Sequence, residues 1–153
     1  MNARRPVLSL LLLAGMSLAA CGGDGVDDSD GAGCAPRVRD GWVRLVPGGM
    51  PMHAGFGRIE NMCAAPATIV SASSPSYRSV MLHESRIVDG VSEMRMLQEL
   101  RIRPDDAAVL KPGGLHLMLV DPTSRLKAGS HVAIDFALKD GRHVLGDFEV
   151  RAP

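Results

Sequence analysis

The chain has 153 residues, of which 46% are hydrophobic and only 3% aromatic, so it suffices for one domain whose core must be built from Val, Leu, Ile and Ala. Seventeen basic and 17 acidic side chains give a formal net charge of zero, which excludes the strongly basic surface typical of nucleic-acid-binding proteins. The sequence also contains neither a phosphate-binding loop nor the Ser/His/Asp order of a hydrolase.

Residues 1–20 have the layout of a bacterial signal peptide. Two arginines precede an apolar run that is too short to span a membrane comfortably. The sequence Leu18-Ala-Ala-Cys21 resembles a lipobox, in which Cys21 becomes the first mature residue and carries the lipid. The alternative is an ordinary secretory signal in which Cys21 is incidental. Because Gly22 rather than Asp follows the cysteine, we expect a lipid-anchored protein of the periplasm, with the outer membrane favoured.

Residues 21–33 are predicted to form a flexible tether ahead of a folded domain at residues 34–153. The tether consists mainly of glycine and aspartate, which supply almost no side chain able to pack. Its aspartates could be mistaken for a calcium loop, but the terminal glutamate and the flanking helices of such a loop are lacking. About a dozen flexible residues give a typical reach of roughly 20 Å from the lipid.

The folded domain is predicted to be all-β. The full sequence has 17 glycines and ten prolines, and those of the domain punctuate short apolar runs, of which no long stretch keeps a helical period. Several short strands with turns between them indicate a sandwich or barrel. The predicted strands cover residues 37–45, 55–60, 67–72, 79–88, 91–97, 107–110, 115–120, 131–138 and 143–150.

Cys34 and Cys63 are the two cysteines left once Cys21 is lipidated. In the oxidising periplasm an even pair of cysteines in a small domain predicts a disulfide. The alternative is a thiolate metal site or a redox pair, although neither cysteine lies in a C-x-x-C arrangement.

The strands at residues 79–88 and 91–97 are predicted to form a hairpin, because Asp89-Gly90 between them is a strong two-residue turn signal. If Val88 lies opposite Val91, His83 faces Met96 and Ser85 faces Met94. All four side chains then leave the same face of the hairpin, and Met94 is the diagonal neighbour of His83.

The strand at residues 115–120 alternates leucines with a His/Met pair. Leu115, Leu117 and Leu119 share one face, which we expect in the core, while His116 and Met118 share the other, which we expect at the rim or towards solvent. Imidazole binds either oxidation state of copper, and thioether sulfur favours Cu(I) over hard or borderline cations.

His83, Met94, His116 and Met118 are therefore the predicted ligands of one Cu(I) ion. Ten residues separate the first two, twenty-one the next two and one the last two. The competing interpretation is that the methionines fill the core and the histidines are structural.

This spacing resembles the copper-binding signature of the PCuAC copper chaperones, also described as the DUF461 family. The resemblance covers roughly residues 36–152 and includes the blocks Asp40-Gly-Trp-Val-Arg44, Ile59-Glu-Asn61, Leu82-His-Glu84, Asp89-Gly-Val91 and Lys111-Pro-Gly-Gly-Leu-His-Leu-Met-Leu119. It implies a cupredoxin-like Greek-key β-barrel with one Cu(I) at a shallow site. It also implies delivery of copper to an acceptor, either the copper A centre in cytochrome c oxidase subunit II or another copper chaperone. We expect a monomer that contacts the membrane only through its lipid.

Other residues near the predicted site are open to two interpretations. Met50-Pro-Met-His53 is predicted to lie in a turn, as an auxiliary copper contact, as part of an entry path for copper, or as a loop with accidental methionines, of which the last is favoured. Met81 and Met96 share a face with His83 and could line the site. Glu84 is expected to orient His83 rather than to act as a general base. His131 and His143 fall outside the spacing pattern and are not expected to be ligands.

Two other functions compete with a copper carrier. A copper store or resistance buffer would use the surplus of methionines and bind more than one ion per domain. A copper-dependent redox enzyme would need an open coordination position and a proton-transfer group, for which only Glu84 is at hand.

Overall fold

The computed structural model describes residues 33–153. The predicted signal peptide, the predicted lipidation at Cys21 and all of the predicted tether except Gly33 lie outside the described residues. Within the described range no helix is both long and apolar enough to cross a membrane.

The domain consists of ten β-strands and one short 3-10 turn. The strands are β1 (Arg37–Arg44), β2 (Met52–Asn61), β3 (Ala67–Ser73), β4 (Tyr77–Val88), β5 (Val91–Met96), β6 (Leu100–Ile102), β7 (Asp106–Leu110), β8 (Leu115–Pro122), β9 (His131–Leu138) and β10 (His143–Arg151), and the turn is Pro47–Gly49.

Seven of these strands close into a barrel. The ring runs β3-β4-β8-β2-β1-β10-β9 and returns to β3, with β1 and β10 parallel and the other neighbours in the ring antiparallel. Strand β5 extends from β4, β6 extends from β3, and β7 pairs with both β2 and β8. The crossovers between strands distant in sequence make this a cupredoxin-like Greek-key barrel, which confirms the predicted fold class.

The core fills the inside of the ring with aliphatic residues and two phenylalanines. Phe136 and Phe148 are fully buried and their ring centroids are 6.3 Å apart. Each large apolar side chain buried in this way contributes about 1.5–3 kcal/mol. Since strand side chains alternate between faces, every inward-facing position is followed by one on the outside of the barrel. On β4 and β8 those outward positions carry three of the predicted ligands, His83, His116 and Met118.

Asn61 ends β2 with a fully buried amide that connects two segments of the chain. Its Nδ2 donates to the carbonyl oxygens of Ala65 at 2.9 Å and of Ile102 and Arg103 at 3.2 Å. Its Oδ1 accepts a hydrogen bond from the backbone N–H of Cys63 at 3.3 Å. The amide therefore holds the loop after β2 against the end of β6.

Strand boundaries differ from the prediction by one to three residues at several ends, and one strand was not predicted. Strand β6 was not predicted, because only three residues of it pair with β3 and their sequence has no distinctive alternation. Strand β2 begins at Met52 instead of residue 55, and β4 begins at Tyr77 instead of residue 79. In both cases the added residues pair with β8, whose own length the sequence pattern does not reveal.

Candidate metal centre

The β4–β5 hairpin has the predicted register. Val88 pairs with Val91, His83 with Met96 and Ser85 with Met94. Both turn residues have left-handed backbones, with φ of 51° at Asp89 and 79° at Gly90, as a two-residue hairpin turn requires. The turn chemistry therefore sets which side chains of the hairpin share a face.

Strand β8 brings its His/Met pair alongside β4. His83 pairs with His116 and Met81 pairs with Met118, so the four side chains point to the same side of the sheet. The ring centroids of the two histidines are 5.9 Å apart. Two imidazoles and two thioethers thus form a compact group on the outside of the barrel.

The site is partly sheltered, and His116 is deeper than predicted. The sequence placed His116 at the rim or towards solvent, but only 8% of its surface is exposed. The reason is that β4 and β2 flank β8, so His116 has the His83 ring on one side, with 5.9 Å between the ring centroids, and shares a cavity with Met52 and Ala54 on the other. Met118 is half-buried, whereas Met94 on the protruding hairpin is 51% exposed.

His83 has an imidazole ring that makes no hydrogen bond. Both of its ring nitrogens are buried, and neither has a hydrogen-bond partner. Burial lowers the pKa of the imidazole and the neighbouring His116 lowers it further, so the ring is neutral at pH 7. Buried polar atoms normally have partners, so an unpartnered neutral imidazole is well suited to bind a metal ion.

His116 is held in the tautomer that a metal ligand needs. Its Nδ1 lies 2.9 Å from the carbonyl oxygen of Gly114. Since a carbonyl can only accept, Nδ1 must carry the proton and donate it, which leaves the lone pair on Nε2 free. The backbone of the turn before β8 therefore orients the ring.

The separation of the two rings suits one shared metal ion. With a metal–nitrogen bond of roughly 2 Å, a bound ion lies roughly 3 Å from each imidazole centroid, so two rings on one ion have centroids up to roughly 6 Å apart. The observed 5.9 Å falls within this range. Among residues 33–153, no three His, Cys, Asp or Glu side chains form a metal-binding group, so further donors here would be thioethers.

Met94 is the predicted ligand that lies furthest from the others. It pairs with Ser85, one outward position beyond His83, whereas the thioether directly opposite His83 belongs to Met96. Methionine has three rotatable side-chain bonds, so a diagonal neighbour can reach an adjacent position. Met96 is 50% exposed and shares the face, as predicted.

Glu84 does not orient His83, which corrects the expectation from the sequence. It points to the opposite face of the hairpin, where its carboxylate accepts hydrogen bonds from Arg86 at 3.0 Å and from Arg95 at 2.9 Å. The Arg86 bond, with a further contribution from Arg95, holds the pKa of the Glu84 carboxyl below its usual range. Its role is to tie β4 to β5.

Replacing Glu84 by glutamine should therefore leave metal affinity unchanged within about twofold, because a residue that orients a ligand would cost 10–100-fold on substitution. Competition against a Cu(I) chelator measures this directly. A larger loss of affinity would show that the carboxylate acts on His83.

The Met50-Pro-Met-His53 segment is not a simple turn. Met52 and His53 are the first residues of β2, where Met52 pairs with Val120 and His53 with Leu119. His53 therefore faces inward, and its Nδ1 is 2.9 Å from the hydroxyl of Tyr77.

Met50 and Met52 lie on the site's side of the sheet. They line a cavity of about 180 Å³ whose walls include His116 and Met118. The sequence prediction missed this placement because it began β2 at residue 55. Met52 and Ala54 are two residues apart and would share the outward face of a longer strand, and this alternation was the available signal.

His131 and His143 lie away from the site. Their Nδ1 atoms are each 2.8 Å from an aspartate carboxylate, Asp147 for His131 and Asp135 for His143. They are on β9 and β10, neither of which pairs with β4 or β8. They remain outside the predicted ligand set.

The barrel and its outward row of imidazoles and thioethers define a cupredoxin-like domain with a candidate soft-metal centre. Residues 37–150 match the family model described as "LpqE-like: Putative lipoprotein LpqE-like", and the chain belongs to this family. A protein of Leifsonia xyli subsp. xyli, named "Putative lipoprotein Lxx21020", is 31% identical over 106 residues. The match covers 69% of this chain and 63% of that protein, so the chain spans less than two thirds of the relative's length.

Solved structures that the chain resembles include PCuAC domains, in agreement with the resemblance seen in the sequence. The solution structure of Cu(I)-bound DR1885 from Deinococcus radiodurans is 27% identical, with a TM-score of 0.62 over 82% of this chain and 85% of that chain. The copper-bound PCuAC domain from PmoF2 is 21% identical, with a TM-score of 0.62 over 76% of this chain and 92% of that one. The latter likeness is one of fold alone.

Proposed function

We propose that this protein is a Cu(I)-binding metallochaperone whose ligands are His83, Met94, His116 and Met118. The observation that carries the proposal is the unpartnered His83 imidazole beside a His116 ring whose Nε2 is free. Thioethers on the same face make the donor set soft, which favours Cu(I) over harder cations. The Cu(I)-bound structure of DR1885, at 27% identity, supports the same metal.

Copper would leave this site by ligand exchange. The two histidines are sheltered, but Met94 is 51% exposed and lies on an edge strand with all six residues exposed. An acceptor can therefore approach from the hairpin side and replace a thioether before the imidazoles release the ion. A carrier needs this asymmetry, because fully enclosed metal sites exchange slowly.

The lipoprotein relatives support an anchored protein outside the cytoplasm, with Cys21 as the proposed lipidation site and residues 21–33 as the tether to a domain at residues 34–153. The outer-membrane location stays a prediction from Gly22. The acceptor is proposed to be a copper protein at the membrane surface, and the copper A centre of cytochrome c oxidase is the one implied by the resemblance to PCuAC chaperones. We propose that the domain works as a monomer and is not an enzyme.

A copper store is the second candidate, and one observation favours it. Besides the two methionines in the proposed ligand set, four more lie on or beside the outward face of the site: Met50, Met52, Met81 and Met96. A store would hold several ions with similar affinity, whereas a carrier holds one ion tightly.

An anaerobic titration of residues 22–153 with Cu(I) against a colorimetric chelator separates these functions. We expect one tight equivalent that is lost in the Met94→Ala/Met118→Ala variant, because removing both thioethers leaves two imidazoles alone. Several equivalents of similar affinity would establish the store. No tight binding, or tight binding retained by the double variant, would overturn the assignment of the site.

A further inference from the structure

The segment before β2 places two additional thioethers next to the proposed copper site. Gly48 and Gly49 have left-handed backbones, with φ of 81° and 69°, which turns the chain back towards β8 after Pro47. The carbonyl oxygen of Pro51 accepts a hydrogen bond from the backbone N–H of Asp121 at 2.7 Å. Backbone contacts therefore fix this segment beside the end of β8.

The cavity beside this segment has the chemistry of a soft-metal site. Directly opposite Met118 is Ala54, whose methyl group leaves open the space that a larger side chain would fill. Met52 lies two residues from Ala54 on the same face, and Met50 also lines the cavity. The cavity holds about 180 Å³, enough for an ion and its exchanging ligands.

Both methionines are accessible from solvent, with 50% of Met50 and 38% of Met52 exposed. Here they lie on the opposite side of Met118 from the hairpin that carries Met94. Copper at the main site therefore has thioethers on two sides.

We propose that Met50 and Met52 form, with Met118, a second and weaker Cu(I) site through which the ion reaches His116 and His83. We refer to these three methionines as the outer thioether site. This inference rests on the proposed function for the destination of the ion. Three thioethers without an imidazole hold Cu(I) loosely, and Met118 is shared with the main site, so the ion can move inward by exchanging one ligand at a time.

With the outer thioether site, copper enters the main site at one place and is released to the acceptor at another. Copper enters between Met50 and Met52, whereas the exposed hairpin with Met94 remains free for the acceptor. Exchange through the shared Met118 never requires the ion to become bare, which would be costly in a partly apolar cavity.

The test is an anaerobic Cu(I) titration of residues 22–153 carrying ¹³C-methyl methionine, followed by NMR. Seven methionines remain in this segment, the nine of the full sequence less Met1 and Met16. The signals are assigned with single Met→Leu variants, Met50→Leu and Met52→Leu among them, which keep similar volume. Met62 is an internal control, because it is 70% exposed and lines a separate groove with Cys34 and Glu60.

We expect the Met94 and Met118 signals to shift with the first equivalent and those of Met50 and Met52 to shift saturably with the second, while Met62 does not move. If Met50 and Met52 stay still, or shift only in parallel with Met62, the outer thioether site is overturned. An unmoved Met94 signal contradicts the proposed function instead, so the two failures are distinguishable.

The double variant Met50→Leu/Met52→Leu gives a kinetic readout. Loading from a Cu(I)–chelator complex should slow by about tenfold or more, while the equilibrium affinity of the main site stays within about twofold. The matched Met62→Leu variant should load at the wild-type rate. Equal loading rates in the wild-type and double-variant proteins would rule out this path.

Discussion

Replacing His83 by leucine should abolish tight Cu(I) binding and at the same time make the metal-free domain more stable. Substitution of residues that merely support metal ligands costs 10–100-fold in affinity, so loss of a ligand should cost more than about 100-fold. Both ring nitrogens of His83 are buried without a partner, and leaving a buried polar group unpaired costs about 1–3 kcal/mol. Leucine removes that penalty. Chelator competition measures the first effect and urea denaturation of the metal-free domain measures the second.

Two further variants isolate the cause. His116→Leu should also abolish binding, but without the gain in stability, because the hydrogen bond from Nδ1 to Gly114 is lost. His131→Leu is a matched control on the exposed surface and should leave copper affinity unchanged. A destabilised His83→Leu domain that still binds copper would show that His83 is a structural residue.

The His83→Leu variant can lose copper binding and yet gain stability because the site lies on the outside of the barrel. The inward faces of β4 and β8 carry Leu82, Leu117 and Leu119, which supply core burial independently of the ligands. The outward faces can then hold side chains that have no hydrogen-bond partner until a metal ion binds. The core of the barrel supplies the free energy of unfolding, and the unpartnered His83 imidazole of the metal-free site lowers it.

The register of the β4–β5 hairpin and the faces on which the proposed ligands lie were predicted from the sequence, through strand alternation and turn residues. Asp89-Gly90 fixes the pairing of β4 with β5, which brings His83 opposite Met96. The alternation in β8 then separates the leucines from His116 and Met118. Each of these signals is local to a few residues, whereas the pairing of β4 with β8, which brings His83 beside His116, is a contact between distant parts of the chain.

Features that depend on distant strands were not predictable in the same way. The burial of His116 follows from its two neighbours in the ring, and the place of Met50 follows from a hydrogen bond between Pro51 and Asp121. The face on which Glu84 lies was available from alternation, but its partners Arg86 and Arg95 decided its role. Long-range contacts of this kind leave no periodic trace in the sequence.

For the disulfide, too, the sequence predicted the pairing but not its structural basis. Its pairing was predicted from the count of cysteines, and the structure joins Cys34 to Cys63 with a Cα–Cα distance of 5.7 Å. The structural reason is the register of β1 and β2. Arg37 pairs with Glu60, so continuing the two antiparallel strands by three residues places the cysteines opposite each other. The bond thus closes the open end of this strand pair.

Removing the disulfide in the Cys34→Ala/Cys63→Ala variant should lower the free energy of unfolding by about 3–4 kcal/mol, because the bond closes a long loop in the unfolded chain. Its 29-residue sequence separation spans all of β1 and β2. Chemical denaturation under oxidising conditions measures the loss.

Copper affinity should not change, since neither cysteine lines the cavity beside His116 and Met118. Loss of Cu(I) binding in the folded variant would instead support a thiolate metal site. A stability change well under 1 kcal/mol would mean that the β1–β2 ladder and the Asn61 hydrogen bonds already hold this end of the barrel closed.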